Sequence, residues 1–316
     1  MAHSLSVGLV GLGRMGVGIA ERLVAGGHRV TAFDLKAQAC DAAHQAGAAT
    51  VDRLADLPSR LEESADAGRP RAIWLMLPAG PAIDHVLLEG PEALAPRLSA
   101  GDIVIDGGNS NFRDSMRRAE RLADEFGVRM IDCGTSAGVH GQQLGYCLML
   151  GGDAEAVALC EPLFAAAAAP EGYAHMGPSG AGHFVKMVHN AIEYGLAQVL
   201  GEGFSMLDAA EFPVDLRRAA ELWQHGSVIR SWLMELAQTA LSRPDHFERI
   251  APKIGGGSTG TWAVEEADRM NVRVPAIALS LAERTGEPSN EFAARIIAAL
   301  RYEFGRHPFQ TRDEQT

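Results

Sequence analysis

The chain has 316 residues, of which 47% are hydrophobic and 22% are charged, and its formal net charge is −12 at pH 7. This composition is typical of a soluble globular protein large enough for two domains, and the acidic balance argues against binding to nucleic acids or anionic membranes. No apolar run is long enough to predict a transmembrane helix. The start of the chain lacks the basic region of a signal peptide, and the four cysteines follow no metal or disulfide pattern. We therefore expect a cytoplasmic protein.

The first predicted element is a short buried strand that leads into a glycine-rich turn. Residues 5–10 are apolar, Gly11-Leu-Gly13-Arg-Met-Gly16 follows, and a helical pattern begins at Val17. Between a strand and a helix, glycines at this spacing favour a dinucleotide site over a plain tight turn, because the backbone can approach a pyrophosphate at the helix N-terminus. The predicted cofactor contacts here are Gly11, Leu12, Gly13, Arg14, Met15 and Gly16.

The residue at the end of the second predicted strand indicates which dinucleotide binds. Residues 29–33 form that strand, and Asp34 follows it. A carboxylate at this position accepts hydrogen bonds from the ribose hydroxyls of NAD and repels the 2′-phosphate of NADP. NAD is therefore the predicted cofactor and NADP is disfavoured, although Lys36 weakens the repulsion. An exposed carboxylate without a ligand is the alternative.

The following elements continue an alternation of helices and strands that is typical of a doubly wound α/β domain. Helices are predicted over residues 39–47, 51–67 and 84–98, and strands over residues 71–77 and 101–106. The carboxyl ends of such strands line the ligand crevice. Leu77 and Pro78 lie at such an end and are predicted to contact the cofactor.

The strand that ends at residue 106 opens into Gly107-Gly-Asn109-Ser-Asn111. Serine and asparagine are common helix caps, so Ser110 and Asn111 are predicted to cap the helix over residues 112–126. Asn109, behind two glycines, is better suited to face a ligand.

A further strand, over residues 128–133, precedes the loop Gly134-Thr-Ser-Ala-Gly-Val-His-Gly141. Loops with several free backbone N–H groups bind carboxylates or phosphates, so this loop is a candidate anion site. A strand over residues 147–152 and a helix over residues 154–168 then complete the α/β domain.

The rest of the chain is predicted to be helical. Residues 177–182 are rich in glycine, proline and serine and predict the domain boundary. Helix N-caps are expected at Asp215, Ser231 and Ser289. Residues 289–304 form an amphipathic pattern, and because such a terminal helix often packs on a partner chain, we expect an oligomer. The apolar face of this helix comprises Phe292, Ile296, Ile297 and Leu300.

The most informative stretch is residues 180–195. Its apolar positions recur at helical spacing and predict a buried helix: Phe184, Val185, Val188, Ile192 and, just beyond, Leu196. Its polar side chains lie near one stripe of that helix: His183, Lys186, Asn190, Glu193 and Tyr194. Polar groups on an apolar helix cost free energy unless they meet other polar groups. The stripe is therefore either a buried structural network or an active site.

Taken together, these motifs closely resemble the 6-phosphogluconate dehydrogenases, a family of decarboxylating β-hydroxyacid dehydrogenases. The matching segments, which span nearly the whole chain, are Gly11-x-Gly-x-x-Gly16, Asp106-Gly-Gly-Asn-Ser110, Thr135-Ser-Ala-Gly138, Gly182-His-Phe-Val-Lys-Met-Val-His-Asn190, Ile192-Glu-Tyr-Gly195 and Arg301-x-x-Phe-Gly-x-His307. The resemblance implies a Rossmann-type doubly wound α/β domain over residues 1–178 and an all-α domain for substrate binding and oligomerisation over residues 179–316. It further implies a short-form homodimer or homotetramer whose C-terminal tail contributes to a neighbouring site.

The activity implied by the resemblance is oxidative decarboxylation of 6-phosphogluconate to ribulose 5-phosphate and CO₂, with NAD and without a metal. Lys186 would act first as a base and then as an acid, Glu193 would protonate the enediol, and Asn190 would hold both Lys186 and the substrate hydroxyls. Asn109 would contact the nicotinamide as well as the substrate. The implied substrate contacts are Asn109, Ser136, Gly138, His189, Tyr194, Arg284, Arg301 and His307.

The sequence departs from the family pattern near the implied phosphate site. Thr261 stands where the family has a basic residue, Ala263 replaces a hydroxyl residue, and Ala137 replaces a glycine. A related aldonate with another C6 group, such as a sulfonate or a free hydroxyl, is therefore an alternative substrate. A non-catalytic dinucleotide-binding regulator is a third hypothesis, although such a protein has no need for Lys186 and Glu193 on one stripe.

Overall fold

The chain folds into two compact units, according to a computed structural model that describes residues 4–64 and 70–311. One unit ends at Lys186, and the other begins at Met187. The division therefore falls within a single continuous helix, Ala181–Asp208.

An eight-stranded sheet forms the centre of the N-terminal unit within the described residues. Its strands are β1 (Ser6–Val10), β2 (Arg29–Phe33), β3 (Ala49–Thr50), β4 (Ala72–Leu75), β5 (Ile103–Asp106), β6 (Arg129–Ser136), β7 (Tyr146–Gly152) and β8 (Ala168–Gly177). The first six are parallel, in the order β3-β2-β1-β4-β5-β6; β7 is antiparallel to β6, and β8 is parallel to β7. The order reverses between β1 and β4, where doubly wound sheets bind dinucleotides.

Helices connect most of these strands. In the N-terminal unit they are α1 (Arg14–Ala25), α2 (Ala37–Gln45), α3 (Leu57–Ser64), α4 (Pro81–Asp84), α5 (Phe112–Phe126), α6 (Gly141–Leu144) and α7 (Ala154–Ala167). Helix α8 (Ala181–Asp208) leads into the C-terminal unit. There it is followed by α9 (Leu216–Trp223), α10 (Trp232–Leu241), α11 (Pro244–Arg249), α12 (Ser258–Arg269), α13 (Pro275–Thr285) and α14 (Glu291–Gly305).

Successive residues of the central strands enter two separate cores, one on each face of the sheet. In β1, Val7 and Leu9 belong to one core and Val10 belongs to the other. In β4, Trp74 belongs to the first core and Ile73 belongs to the second. Helices α1 and α7 complete the first core, and α3 and α5 complete the second. Because side chains alternate across a strand, helices must cover both faces of such a sheet. The predicted doubly wound α/β class is confirmed.

The prediction of a single helix over residues 84–98 is wrong. Helix α4 continues only into a π-type turn, His85–Glu89, and a separate 3₁₀ turn, Ala95–Arg97, follows. Gly90 and Pro91 separate the two turns, because glycine is a poor helix former and proline lacks the N–H that a helix interior needs.

Two other predictions differ in extent. The predicted helix over residues 51–67 is a 3₁₀ turn, Leu54–Asp56, followed by α3, and its last residues lie outside the described part of the chain. Strand β6 continues through Ser136, where a loop was expected to begin at Gly134. Strand β8 was missed altogether, because its alanine, proline and glycine residues carry little strand propensity.

The C-terminal helix packs inside its own unit. Ile296, Ile297 and Leu300 are at most 4% exposed and lie in one core with Phe204 and Met234. The expectation that α14 presents an apolar face to a partner chain is therefore wrong: nearly every side of this helix is already covered. Asp215 and Ser231 cap α9 and α10 as predicted, but Asn290, not Ser289, caps α14.

The burial of α8 also differs from the prediction. Val188, Ile192 and Leu196 are 37%, 51% and 49% exposed in the single chain, although their spacing predicts a buried face. Helical periodicity identifies an apolar face, but it does not identify what covers that face. Among the described helices, α8 included, none is long and apolar enough to cross a membrane.

Candidate active site

The glycine-rich turn joins β1 to α1 by a close approach of backbone to backbone. Gly11 has a φ of +93° and donates its N–H to Phe33 O at 2.9 Å. A Cβ on Gly11 would lie 2.5 Å from Met76 O, and one on Gly16 would lie 2.1 Å from Gly11 O. Gly13 precedes α1 with open space around it and no side-chain cap on the helix. The N-terminus of α1 is thus suited to a pyrophosphate.

Asp34 is held in a fixed orientation beside this turn. Its Oδ2 accepts the N–H of Leu12 at 2.7 Å, and its Oδ1 accepts the N–H of Lys36 at 2.8 Å. The carboxylate therefore presents its remaining lone pairs, and its charge, at the carboxyl end of β2. This geometry fits ribose hydroxyls and disfavours a 2′-phosphate.

The other predicted cofactor residues of the turn have different environments. Leu12 is buried and its N–H is already bonded to Asp34, so it supports the turn instead of donating to a phosphate. Arg14 is exposed, and the carbonyl of Met15 accepts the hydroxyl of Tyr146 at 3.3 Å. Leu77 and Pro78 follow β4 as predicted and remain candidates for cofactor contact.

Asn109 links the end of β5 to β6. It has a φ of +52°, its Nδ2 donates to Thr135 O at 3.1 Å, and its Oδ1 accepts the N–H of Thr135 at 2.8 Å. Asn111 caps α5 as predicted, through a bond from the N–H of Arg113. The prediction that Ser110 also caps this helix is wrong, because its buried hydroxyl donates to Asp106 at 2.8 Å.

The loop after β6 contains a strained residue. Ala137 has a φ of +101°, a conformation that favours glycine, and it follows Ser136 directly. Gly138 then begins a 3₁₀ turn, Gly138–His140. Ala137, which replaces a glycine of the family that the sequence resembles, therefore adopts a positive φ at a cost in free energy.

Replacing Ala137 with glycine is expected to stabilise the protein. Strain relief of about 1–2 kcal/mol is offset by about 0.4–1 kcal/mol for the greater entropy of unfolded glycine. The net gain is about 0–1.6 kcal/mol, centred at about 0.8 kcal/mol, or about 2–3 °C in Tm at the centre. Thermal denaturation followed by circular dichroism measures it. As a control, Ala123→Gly within helix α5 should lower Tm, and an Ala137→Gly variant that melts no higher than the parent protein would show that the loop bears no strain.

A buried carboxylate fixes the start of α8. Asp132, which is 1% exposed, accepts the N–H of Gly180 at 2.7 Å and the N–H of His183 at 2.8 Å. A carboxylate at a helix N-terminus is favoured by the helix dipole as well as by its hydrogen bonds. Sequence reasoning missed Asp132, although an acidic residue within an otherwise apolar strand is a signal for such a role.

Lys186 is the first member of the predicted polar stripe on α8. It is 6% exposed, and it packs so closely on β6 that a Cβ on Gly134 would lie 2.4 Å from its own Cβ. Asn190 and Glu193 follow at intervals of four and three residues on the same helix, which is the spacing of one helical face. His189 Nδ1 lies 3.1 Å from Asn190 Oδ1, consistent with a hydrogen bond between them.

The C-terminal unit contains a cluster of two arginines around Tyr194, one buried and one half-buried. Arg284 is 8% exposed, and its guanidinium carbon lies 3.6 Å from the centre of the Tyr194 ring. Its Nε donates to Gly255 O at 3.2 Å. The Tyr194 hydroxyl lies 3.2 Å from the hydroxyl of Thr259, a residue that sequence reasoning missed.

Arg301 completes this cluster within the same chain. Its Nη1 bonds Ile254 O, and its Nη2 would lie 3.0 Å from a Cβ on Gly256. Its Nε atom is buried and has no hydrogen-bond partner in the described part of the chain. Burial, with a contribution from the charge of Arg284, lowers the pKa of Arg301 to about 10. Burial also lowers the pKa of Arg284, and the charges of Tyr194 and then Glu193 oppose the lowering of the pKa at both arginines. A buried and a half-buried cation side by side, with one N–H that has no partner among the described residues, form a site suited to an anion.

Thr261, which stands where the family has a basic residue, and His307, a predicted substrate contact, are both more exposed than Arg284. Thr261 lies in the first turn of α12, where its hydroxyl donates to Gly257 O at 3.2 Å. His307 is exposed beyond α14, and its ring lies 5.8 Å from that of Phe304. In the described part of the chain, histidine, cysteine and carboxylate side chains form no group of three that could hold a metal ion.

The N-terminal unit is a Rossmann unit with a glycine turn and a fixed carboxylate at the end of β2. The helix that follows it has a lysine, an asparagine and a glutamate on one face. Together these features define a dinucleotide-dependent dehydrogenase. Residues 6–190 match the family model of the NAD binding domain of 6-phosphogluconate dehydrogenase. Residues 182–291 match that of the 6-phosphogluconate dehydrogenase C-terminal domain. The chain belongs to the 6-phosphogluconate dehydrogenase family.

Similar proteins include both short and long members of this family. An NAD(+)-dependent, decarboxylating 6-phosphogluconate dehydrogenase from Haloferax volcanii is 45% identical over 98% of this chain and 100% of the relative. A decarboxylating 6-phosphogluconate dehydrogenase from Lactococcus lactis is 36% identical over 88% of this chain but only 60% of the relative. Among solved structures, the 6-phosphogluconate dehydrogenase of Plasmodium falciparum is 25% identical, with a TM-score of 0.79 over 94% of this chain and 62% of that one.

Proposed function

We propose that this protein oxidises and decarboxylates 6-phosphogluconate to ribulose 5-phosphate and CO₂, with NAD as the electron acceptor. The observation that carries the proposal is the polar face of α8, where the buried Lys186 is followed by Asn190 and by Glu193. The full-length similarity to a short NAD(+)-dependent relative supports the same reaction and cofactor.

In the proposed reaction, bound NAD supplies the two-electron acceptor for the hydride at C3 of the substrate. Lys186 takes the proton of the C3 hydroxyl, and Asn190 orients this hydroxyl. Ser136 and Gly138 bind the C1 carboxylate through the loop after β6. When the bond between C1 and C2 breaks, its electrons move toward the C3 oxygen, to which Lys186 returns the proton.

The last step and the binding of the C6 group involve the C-terminal unit. Glu193 delivers a proton to C2 of the enediol and so forms the terminal carbon of ribulose 5-phosphate. Tyr194, Arg284 and Arg301 bind the phosphate, since they form the anion site described above. His307 is exposed, and we assign it to the same function in a neighbouring subunit, as the family resemblance implies.

Initial rates of NAD reduction with 6-phosphogluconate test the proposed function, with ribulose 5-phosphate and CO₂ measured as products. We expect saturation at a modest substrate concentration and one CO₂ released per NADH formed. NADH without CO₂ would contradict the decarboxylation. Tight NAD binding without turnover of any aldonate would favour the non-catalytic regulator.

The second candidate is an aldonate with a less charged C6 group, and Thr261 is the observation that favours it. A missing charge-assisted contact costs about 1.5–3 kcal/mol, or about one to two decades in affinity. Parallel assays with 6-sulfogluconate and gluconate separate the two. A higher kcat/KM for either compound than for 6-phosphogluconate would make that compound the substrate.

Replacing Asp34 with serine is expected to relax the preference for NAD. Loss of its bonds to the ribose hydroxyls, each about 1.5–3 kcal/mol for a charged acceptor, should raise the KM for NAD about 10- to 100-fold, while the KM for NADP falls. Steady-state kinetics with both cofactors measures the ratio. Asp34→Asn is the control, because it removes the charge but keeps an acceptor for the Leu12 N–H. An unchanged NADP-to-NAD ratio in both variants would rule out this role for Asp34.

We also propose a homodimer that forms through the exposed apolar face of α8. This face comprises Val188, Ile192, Leu196, Val199 and Met206, which are 37–77% exposed. An exposed apolar stripe of this length is typical of a protein interface. Light scattering after size exclusion should give a dimer, or a tetramer made of two dimers, for the parent chain and a smaller species for Ile192→Asp. Val228→Asp, at an exposed residue off this helix, should leave the mass unchanged; an Ile192→Asp variant of unchanged mass would exclude this interface.

A further inference from the structure

The fully buried side chain of Arg118, on α5, joins the loops that follow two neighbouring strands. Its Nε and Nη2 donate to the two oxygens of Asp84, at 2.9 and 2.7 Å. Nη2 also donates to Gly80 O at 3.1 Å. This end of the guanidinium therefore fixes the segment that follows β4.

The other end of the guanidinium faces the loop after β5. Nη1 lies 3.5 Å from the Ser110 hydroxyl and 3.8 Å from Asp106 Oδ2. The Asp106 carboxylate, which is 0% exposed, accepts the N–H of Gly108 at 3.0 Å and the hydroxyl of Ser110 at 2.8 Å. Arg118 thus contacts, directly or through Asp106, the residues on both sides of Asn109.

Asn109 lies in the left-handed region, with a φ of +52°. Asparagine adopts this region more readily than most residues with a side chain, because its amide can form local hydrogen bonds, so the position of its side chain depends on the contacts around it. The bonds of Gly108 and Ser110 to Asp106 hold the backbone on either side, and the bonds between Asn109 and Thr135 hold the amide. The charge of Arg118, 3.8 Å from Asp106, and its contact with Ser110 keep Asp106 in place below this loop.

The two loops lie on the side of the sheet where the nicotinamide half of the cofactor is expected. Asp34 marks the adenosine half at the end of β2, and a dinucleotide crosses the reversal of strand order between β1 and β4. We infer that Arg118 is a positioning residue for the nicotinamide ring: it sets the spacing of the loops after β4 and β5 and thereby the position of Asn109. This inference rests on the proposed NAD-dependent function.

The test compares Arg118→Lys with Arg117→Lys. Arg117 is the adjacent residue and also bonds both oxygens of Asp84, at 3.1 and 3.3 Å, but it is half exposed and donates further to Asp114 instead of the loop after β5. Lysine keeps the charge at either position but cannot bond Asp84 and Ser110 together. For Arg118→Lys we expect a fall of about 10²-fold in kcat, typical of a misplaced reacting group, and a larger isotope effect with 6-phosphogluconate deuterated at C3. Arg117→Lys should retain the kcat of the parent.

Two binding measurements do not depend on turnover. The Kd for ADP-ribose, which lacks the nicotinamide, should stay within about twofold in Arg118→Lys, whereas the fluorescence change of NADH on binding should be reduced. The inference would be overturned if Arg118→Lys lost affinity for ADP-ribose by the same factor as its kcat falls. It would also be overturned if the NADH fluorescence change of Arg118→Lys equalled that of Arg117→Lys. If Arg118→Lys does not fold, Ser110→Ala removes one link of the network and should give the same pattern to a smaller degree. Absence of turnover in the parent protein would contradict the proposed function, and the NADH fluorescence would still decide the role of Arg118.

Discussion

Replacing Lys186 with methionine is expected to lower kcat about 10³- to 10⁴-fold, the upper part of the range for loss of a general acid–base group. The effect should be large because one amine serves two steps, first as the base for the C3 hydroxyl and then as the acid for the C3 oxygen. Methionine has a similar length and no charge, so it can keep the packing on Gly134, where the lysine is only 6% exposed.

NAD binding separates a chemical defect from a folding defect. The predicted cofactor contacts lie in the turn after β1, at the end of β2 and in the loops after β4 and β5, so the Kd for NAD measured by calorimetry should stay within about twofold. Lys253→Met, at an exposed lysine of the other unit, is the control and should retain full activity. Lys186→Arg should also be inactive, because a guanidinium does not give up its proton near neutral pH. Turnover that persists in Lys186→Met would remove Lys186 from the mechanism.

Local patterns were sufficient to predict the framework of the candidate site. The glycine turn, Asp34 at the end of β2 and Asn111 at the start of α5 depend on residues close in sequence, and each has the expected place in the structure. The spacing of Lys186, Asn190 and Glu193 likewise needs only a helix at that point in the chain. These features were predictable because turns, caps and helical faces follow rules that span about one helical turn.

The parts that were missed depend on contacts between distant segments. Asp132 caps a helix that begins 49 residues later, and Arg118 bonds residues of two other loops. In a sequence, both residues look like ordinary charged positions on a strand or a helix. Their burial, which requires partners for their charges, follows only from the packing of α5, β6 and α8.

The apolar faces of α8 and α14 also show that sequence patterns do not identify contacts between distant segments. The patterns of α8 and α14 both contain an apolar face, and the sequence predicted the former buried and the latter against a partner. In the structure α14 lies in the core of its own unit, whereas Ile192, Leu196 and Val199 on one face of α8 are exposed. The amplitude of an apolar pattern does not distinguish a core from an interface, because both bury the same side chains.

Replacing Arg284 with methionine is expected to raise the KM for 6-phosphogluconate about 10- to 150-fold. The range corresponds to loss of a charge-assisted contact of about 1.5–3 kcal/mol with the C6 phosphate. It should fall toward the upper end, because Arg284 is 8% exposed and Thr261 adds no cation nearby. Steady-state kinetics at saturating NAD gives the change in KM and the accompanying kcat.

Assays with unphosphorylated gluconate test whether the loss of kcat/KM in Arg284→Met depends on the phosphate. If Arg284 contacts the C6 group, the variant should lose kcat/KM for 6-phosphogluconate but leave the much weaker kcat/KM for gluconate nearly unchanged. Arg295→Met is the matched control, since Arg295 is also buried and stacks on an aromatic ring, that of Phe247 at 4.5 Å, but has no part in the Tyr194 cluster. Equal losses with both substrates would assign Arg284 a structural role on Tyr194. The phosphate contact would then have to come from Arg301, whose buried Nε has no partner among residues 4–64 and 70–311.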